Sequence, residues 1–337
     1  GVPAEVMHEL AADAIEHGPL MALGGGNVSA TEQSVETLVA VNILNAVSGA
    51  LDKTVRFYDQ TAPESSTHQD LTQLISDLQS GKIKLLIIDE ANPVYALPPS
   101  MGFKKALKNA FVVSIASQQS ETTNAANLVL PALTAYESWG DAFPRSGVSS
   151  IQQPVMATVN NFDAKAREDI LLTAAQSINK KAFSGNKNYL DYLQKRWQKI
   201  QRRVGDSGSF DSFWISVLEN GGIFEQSRYK SVSLNRKVTT LNVNDPRLAS
   251  GEGLILLPTT SLLLGDGSGA NKPWLQEVPH PMSQIVWDSW VEINPETAQK
   301  LGINDRAIIE VTTPHGSVQA TAYYHFGIHR NAIAIPM

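Results

Sequence analysis

Side chains with amide, carboxyl and hydroxyl groups follow three apolar runs in the first half of the chain. Asn92 follows the first run, Glu121 and Thr122 the second, and Glu137 the third. Groups of this kind hold a polar ligand through hydrogen bonds, and two carboxyl groups can also act as a general acid and base. For Glu121 we favour the first role, in which it accepts hydrogen bonds from the backbone or a ligand, over an acid–base pair with Glu137.

The apolar runs have the composition of buried parallel strands. Residues 83–89, 111–115 and 127–131 are rich in Ile, Leu and Val, and segments with helical periodicity separate them. We expect the first strand to be buried on both faces. The alternation predicts an α/β fold with a doubly wound parallel sheet, which binds ligands at the carboxyl ends of its strands. The polar groups named above should therefore line one crevice.

An α/β segment precedes this sheet. Apolar spacing predicts a helix over residues 3–17, a strand over Leu20–Leu23, and a second helix that carries Val35 to Asn45. The loop Gly24–Asn27 joins the strand to the second helix. It either makes a tight turn or presents backbone N–H groups to a phosphate, although it lacks the glycine spacing of dinucleotide-binding motifs.

The second half of the chain changes character twice. Residues 163–235 are polar and helical and predict a connector. Strands are then predicted at Leu254–Leu257 and Val291–Ile293, followed by a short helix that Asn294 caps and Pro295 begins. Alternating residues on either side of Pro314 predict a hairpin. A strand, a short helix and a hairpin in this order are typical of a small β-barrel.

Composition excludes several classes of protein. The chain has 337 residues, 42% of them hydrophobic and 18% charged, which indicates a well-cored protein of two or three domains rather than a disordered chain. A net charge of −6 gives no attraction to nucleic acid. The absence of cysteine excludes disulfides, a thiolate nucleophile and Cys-ligated zinc or iron–sulfur clusters within these residues. No apolar run reaches the roughly 18 residues of a membrane span, and we see no signal peptide.

Other residue groups support no separate chemistry. The seven histidines are scattered, and no Gly-x-Ser-x-Gly elbow of a serine hydrolase occurs. The basic residues between Lys195 and Arg203 are interpreted as a solvated helix face. Three tryptophans before the last predicted helix are expected to pack in a core, namely Trp274, Trp287 and Trp290.

The order of several motifs resembles the molybdopterin oxidoreductase (dimethyl sulfoxide reductase) superfamily. The motifs are Gly24–Gly26, Ala40–Ala46, Asn92-Pro93, Ser120–Thr122, Asn127–Ala132 and Glu137–Asp141, with Val291–Ile303 resembling the start of the pterin-dinucleotide-binding barrel. The loop and motif at residues 265–279 are similar to the molybdopterin-like subunits of membrane quinone-redox complexes. These are the B subunit of alternative complex III and its relative in the menaquinone reductase complex.

The resemblance implies a domain layout. Residues 1–60 are similar to domain III of the superfamily, and residues 61–162 to domain II. Residues 163–250 form the helical connector, and residues 251–337 a double-psi-type, dinucleotide-binding-like β-barrel that is incomplete. The chain is then a fragment of a larger multidomain protein.

The resemblance also implies a role. The closer relatives point to a subunit of a membrane-bound respiratory quinol or quinone oxidoreductase without molybdenum of its own. It would lie on the periplasmic side of the bacterial inner membrane, with a cytochrome c-type subunit and an integral membrane quinone-binding subunit as partners. Iron–sulfur clusters are expected in parts of the protein outside these residues.

The alternative is a genuine molybdenum or tungsten bis-pterin oxidoreductase of the polysulfide, thiosulfate or formate type. Molybdopterin guanine dinucleotide would then be lined by polar residues at predicted strand ends, namely Asn92, Glu121, Thr122, Thr260, Asp266 and Asn294. Asp266 belongs to the glycine-rich loop Gly265–Asn271, which is either a long hairpin loop or a contact for phosphate or pterin. A third possibility is a plain binding module, which does not explain the ordered motifs. A catalytic metal ligand has no assignment in this sequence.

Overall fold

The chain folds into two compact units. The computed structural model describes residues 2–26, 34–58, 66–159, 162–226, 229–235, 253–265, 267 and 269–336. One unit combines residues 1–57 with 231–337, and the other holds residues 58–230. The predicted segments 1–60 and 251–337 thus share a unit almost entirely. The finer division into four domains stays a prediction.

Two helices open the chain, as predicted, and a short strand follows them: α1 (Ala4–Glu16), α2 (Ser34–Val47) and β1 (Phe57–Tyr58). The predicted strand Leu20–Leu23 is wrong. Its backbone is paired by a side chain instead, since the Ala22 N–H donates to Asn45 Oδ1 (2.8 Å) and Asn45 Nδ2 donates to the Ala22 carbonyl (2.9 Å). The buried amide of Asn45 thereby replaces a neighbouring strand.

The first part of the second unit is a parallel α/β arrangement. Its elements are α3 (His68–Gln79), β2 (Leu85–Asp89), α4 (Pro93–Ala96), α5 (Phe103–Ala106), β3 (Phe111–Ala116), α6 (Glu121–Ala125) and β4 (Leu128–Pro131). The strands pair in parallel in the order β2-β3-β4. A capping box fixes the start of α3, where Thr67 accepts from the Asp70 N–H and Asp70 accepts from the Thr67 N–H. The predicted parallel sheet is confirmed, and the doubly wound arrangement stays a prediction.

One face of this sheet is well covered. Ile88 and Val112 pack there against α3 and α5 in a core that includes Leu78 and Phe103. On the opposite face the carboxyl ends of the strands are covered, because Val113 and Ile115 join a cluster with Leu130 and Ile170.

The amino-terminal end of that opposite face is uncovered. Leu85 is 57% exposed, Ile87 46% and Phe111 50%. The prediction that the first strand is buried on both faces is therefore wrong for this chain. The residue types match a doubly covered strand, but among the described residues nothing packs over this end, because the covering cluster reaches only the carboxyl half of the sheet.

The second part of this unit packs helices against an antiparallel sheet. Its elements are β5 (Gly140–Ala142), β6 (Val148–Gln152), α7 (Arg167–Ile178), α8 (Lys180–Phe183), α9 (Tyr189–Arg203), α10 (Phe210–Asn220), β7 (Gly222–Phe224) and β8 (Tyr229–Lys230). The sheet order is β5-β6-β7. Trp197 and Trp214 meet edge to face at 6.2 Å in the core between α9 and α10. The predicted helical connector is thus helical for most of its described length, but it also supplies β7 to this sheet.

The remainder of the first unit is a mixed five-stranded sheet. Its elements are β9 (Ile255–Thr259), α11 (Pro273–Gln276), β10 (Trp290–Ile293), α12 (Pro295–Lys300), β11 (Ile308–Thr313), β12 (Gly316–Tyr324) and β13 (Ala332–Pro336). The strand order is β11-β12-β10-β13-β9. The predicted hairpin is confirmed as the antiparallel pair β11–β12. The β-rich character of residues 251–337 is confirmed, and closure into a double-psi barrel stays a prediction.

Local signals in this region give the expected helix. Asn294 caps α12 through a bond from the Glu296 N–H, Pro295 begins the helix, and Gly302 follows it with φ of 68°. The expected packing of three tryptophans is wrong for two of them. Trp290 is buried in the sheet, but Trp274 is 89% exposed and Trp287 58%. Trp274 lies in α11 and Trp287 in the segment before β10, so neither is held within a strand of this sheet. Among the described residues, no helix is long and apolar enough to cross a membrane.

Candidate functional site at the carboxyl ends of the parallel strands

Asn92 lies in the turn that joins β2 to α4. It occupies the N-cap position of α4, but its side chain makes no bond to that helix. The amide instead reaches the first turn of α6, which follows the neighbouring strand β3. The side chain that the sequence placed at a strand end therefore joins the ends of two strands.

The contact between Asn92 and Thr122 is fully formed. Asn92 Oδ1 accepts hydrogen bonds from the Thr122 N–H (3.1 Å) and from Thr122 Oγ1 (2.8 Å). Thr122 Oγ1 also accepts a bond from the Val94 N–H at 3.1 Å. Thr122 is completely buried. Both lone pairs of the Asn92 oxygen and the hydroxyl of Thr122 are thus used inside the protein.

Glu121 lies at the exposed rim of this contact. Asn92 Nδ2 donates to Glu121 Oε2 at 2.7 Å. This bond is the main cause that lowers the pKa of Glu121, and the positive charge of Lys104 adds to it. The carboxylate is therefore ionised at neutral pH, with one amide N–H of Asn92 as its partner.

Glu137 lies in a different loop, which it ties to the backbone at Val159. Its carboxylate accepts bonds from the Thr134 N–H (3.0 Å), Thr134 Oγ1 (2.8 Å) and the Val159 N–H (2.8 Å). These bonds lower the pKa of Glu137, with the Val159 N–H contributing most. Because the pKa of Glu121 and the pKa of Glu137 are both lowered, neither group is suited to donate a proton at neutral pH.

Two further polar contacts hold the strand ends and were missed from the sequence. Glu90 accepts bonds from the Ser117 N–H (2.7 Å) and Ser117 Oγ (3.1 Å), which ties the end of β2 to the end of β3. At the opposite, amino-terminal ends of β3 and β4, Asn127 Oδ1 accepts from the Val112 N–H at 2.8 Å. The sequence offered one weak signal, a polar residue beside each apolar run. It does not show which partner each residue meets.

The other predicted site residues lie elsewhere. Asp266 is outside the described residues. Thr260 is an exposed residue after β9, and Asn294 follows β10. Because β9 runs parallel to β13 and β10 antiparallel to it, the carboxyl ends of β9 and β10 lie at opposite ends of the sheet. The structure therefore brings Asn92, Glu121 and Thr122 together within one unit, and within the other unit it places Thr260 and Asn294 at opposite ends of a sheet.

Asn294 serves the local fold. Its Oδ1 accepts from the Glu296 N–H and its Nδ2 donates to the Ile328 carbonyl, each at 3.0 Å. The amide thereby holds the start of α12 against the segment between β12 and β13.

The two glycine-rich loops differ in what their glycines do. A Cβ on Gly24 would lie 3.0 Å from side-chain atoms of Leu38 and Val41. Gly24 therefore packs closely on α2, which favours a packing turn over a phosphate site. In the second loop, Ser261 and Gly265 exchange two backbone bonds of 2.9 Å. This bridge closes a tight turn just before the loop, and both alternatives for Gly265–Asn271 stay predictions.

Parts of this chain are similar to a protein-family model and to known proteins. The family model described as "Molydopterin dinucleotide binding domain" matches residues 276–337. The menaquinone reductase, molybdopterin-binding-like subunit of Nitratidesulfovibrio vulgaris is 27% identical over 277 residues, which is 80% of this chain. The assimilatory nitrate reductase catalytic subunit of Bacillus subtilis (strain 168) is 20% identical over 281 residues, or 79% of this chain. These matches support the resemblance to the molybdopterin oxidoreductase superfamily.

The chain spans well under half the length of the curated relatives that it matches. The matches cover 38% of the menaquinone reductase subunit and 39% of the nitrate reductase subunit. Among solved structures, acetylene hydratase from Pelobacter acetylenicus matches with a TM-score of 0.49 and 19% sequence identity, over 79% of this chain and 39% of that chain.

A pterin dinucleotide, the cofactor that the family model names, needs free hydrogen-bonding groups in its cleft. Asn92 Oδ1 already accepts two hydrogen bonds and has no free lone pair, and Thr122 has no exposed surface. Glu121 offers a negative charge, which repels a diphosphate. As arranged here, these three residues do not fit as direct ligands of the cofactor. Among the described residues, no group of three or more His, Asp or Glu side chains could hold a metal ion.

Proposed function

We propose that this chain is a molybdopterin-oxidoreductase-like subunit of a membrane-bound respiratory complex, and that it carries no molybdenum of its own. The complex would be a quinol or quinone oxidoreductase of the alternative complex III type. The chain would act as a scaffold and docking subunit within it.

The closed contact between Asn92 and Thr122 is the observation that carries this proposal. A cofactor-binding cleft keeps donors and acceptors free for its ligand. Here the groups at the carboxyl ends of β2 and β3 bond to one another, and the bonds join α4 to α6. The same residue types that suit a ligand site thus perform a structural task.

The similarity to a protein named as a menaquinone reductase subunit supports the quinone part of the proposal. The partners would be a cytochrome c-type subunit and an integral membrane quinone-binding subunit, at the periplasmic side of the bacterial inner membrane. Iron–sulfur clusters in polypeptide outside these residues would carry the electrons, since this chain has no cysteine to ligate them.

The test uses the full gene product, purified from its native membranes in mild detergent. Molybdenum and tungsten are measured by mass spectrometry, and pterin by the fluorescence of its oxidised form. An assimilatory nitrate reductase prepared in parallel is the positive control. We expect less than about one tenth of a metal per protein, together with haem-bearing and membrane subunits that co-purify. A stoichiometric metal with pterin would contradict the cofactor-free assignment, and a protein that purifies alone would contradict the complex.

The matched family model favours a second function, a true molybdenum or tungsten bis-pterin oxidoreductase. In that case the contact between Asn92 and Thr122 would have to open when the cofactor binds. Hydrogen exchange of the segment 92–95 in the purified protein separates the two functions. Slow exchange at the Val94 amide supports the closed scaffold, whereas fast exchange together with stoichiometric pterin supports the enzyme.

A further inference from the structure

The segment between β2 and β3 forms a groove on the surface of the second unit. It encloses a cavity of about 300 Å³. Its apolar lining comes from Pro93, Val94, Leu97, Pro98, Pro99 and Phe103. Phe103 is the buried residue of this lining, which we call the floor, and the three prolines have backbone angles that are already restricted. A partner that enters this groove therefore meets a preorganised apolar surface.

Three lysines complete the lining, namely Lys104, Lys105 and Lys108. Each side chain is exposed, and no Asp or Glu contributes to the lining. From Asn92 to Ser120 the sequence has these three basic residues and no acidic residue, although the whole chain has a net charge of −6. Glu121, which interacts with Lys104, lies outside the lining and offsets one of the three positive charges. The groove is thus a positive patch on an acidic protein.

We propose that this lysine groove docks an acidic peptide segment of a partner protein, with an apolar side chain on the floor and carboxylates against the lysines. Charge complementarity with the lysines requires a negatively charged partner, and the apolar lining requires that the partner also carries an aliphatic or aromatic anchor. The proposal does not depend on whether the protein binds a pterin.

The shape of the groove argues against two other occupants. A membrane surface is bound by apolar side chains that protrude, whereas Phe103 lies at the bottom of a concave site. A free phosphate is bound in clefts lined by backbone N–H groups and arginines, whereas this lining is largely apolar and contains no arginine.

Fluorescence anisotropy tests the proposal on the intact chain. The probe is a fluorescein-labelled peptide of about ten residues that alternates Glu with Leu. We expect saturable binding that weakens as salt rises from low to physiological ionic strength. A peptide with Lys in place of Glu should not bind. A peptide with Ser in place of Leu should bind roughly tenfold more weakly, because it has no anchor.

Two sets of variants distinguish binding in the groove from a general effect of the net charge. The triple substitution K104E, K105E and K108E should weaken binding of the Glu-Leu peptide by at least about tenfold. The matched control, K180E with K181E and K199E, makes the same change of net charge at exposed lysines of the same unit and should stay within about twofold. Far-UV circular dichroism confirms that both variants fold, and a K104Q, K105Q and K108Q variant should give an intermediate loss.

Several results would overturn the proposal. One is a groove variant that binds the Glu-Leu peptide as tightly as the wild type. Another is equal affinity for the Ser-containing peptide. A third is binding of inorganic phosphate, or of phosphatidylcholine–phosphatidylglycerol vesicles, that depends on the three lysines while the peptide does not bind.

Discussion

Replacement of Asn92 by Ala tests whether this residue belongs to the fold or to a ligand. The change removes two acceptor contacts to the buried Thr122 and one donor contact to the exposed Glu121. A buried group left without its partner costs about 1–3 kcal/mol, and an exposed bond much less. The Thr122 hydroxyl keeps its bond from the Val94 N–H. We therefore expect a loss of about 2–4 kcal/mol from the free energy of unfolding of the second unit.

The assay follows hydrogen exchange by mass spectrometry on peptides that cover β3, so that the signal reports on this unit alone. Asn109→Ala is the matched control, because its amide makes a single exposed bond of 3.3 Å to the Gln79 carbonyl and should cost less than about 0.5 kcal/mol. Asn92→Asp keeps the acceptor for Thr122 but places a second carboxylate beside Glu121. The free energy of unfolding of Asn92→Asp should lie between those of Asn92→Ala and Asn109→Ala, and it should rise as the pH falls.

The reasoning fails if Asn92→Ala exchanges like the wild type and like Asn109→Ala. Asn92 would then contribute nothing to the fold and would be free for a ligand. Thr122→Val gives a second, independent measure. It keeps the volume, removes the hydroxyl and leaves the Val94 N–H without its acceptor, so it should also cost about 1–3 kcal/mol.

Three further predictions concern other parts of the chain. Because hydrogen bonds lower the pKa of Glu137, its stabilising contribution is present above its ordinary value of 4.5 and is lost as the pH falls through the lowered pKa. Glu137→Gln should remove that part of the acid sensitivity in urea titrations at several pH values. Burial raises the pKa of Asp141 despite Arg196 at 3.2 Å. Asp141→Asn should therefore be neutral or stabilising at pH 7, and less stable than the wild type only below about pH 3.8, the ordinary pKa of Asp. A clear loss of stability at pH 7 in urea titrations would contradict this. Gly222→Ala would place a Cβ 2.3 Å from the Ser149 carbonyl oxygen and should prevent pairing of β6 with β7, whereas Gly205→Ala, also at positive φ but in open space, should cost only about 1 kcal/mol by thermal unfolding.

Much of the fold was predictable because its signals are local. The apolar runs gave β2, β3 and β4, and the Asn294-Pro295 cap and Gly302 gave α12 and its end. Each signal depends on residues within a few positions of one another, and backbone geometry translates it directly into an element. The predictions that were wrong depend on contacts between residues far apart in the sequence. Leu20–Leu23 had a strand composition, but the amide of Asn45, 23 residues beyond Ala22, took the place of a strand partner.

The candidate site divides in the same way. The sequence located polar groups at the carboxyl ends of parallel strands, since strand–helix alternation places those ends at one edge of a sheet. It did not decide what the groups bond to.

The sequence by itself determined the resemblance to a family, the order of the main elements and the polar residue types at the strand ends. The tertiary structure alone decided that Asn92 uses its oxygen on Thr122, 30 residues away, and that the amino-terminal end of one sheet face stays uncovered. The physical reason is that a hydrogen bond or a buried face depends on which groups meet in space. Local composition sets the capacity to bind a ligand, and long-range packing determines whether that capacity is already used.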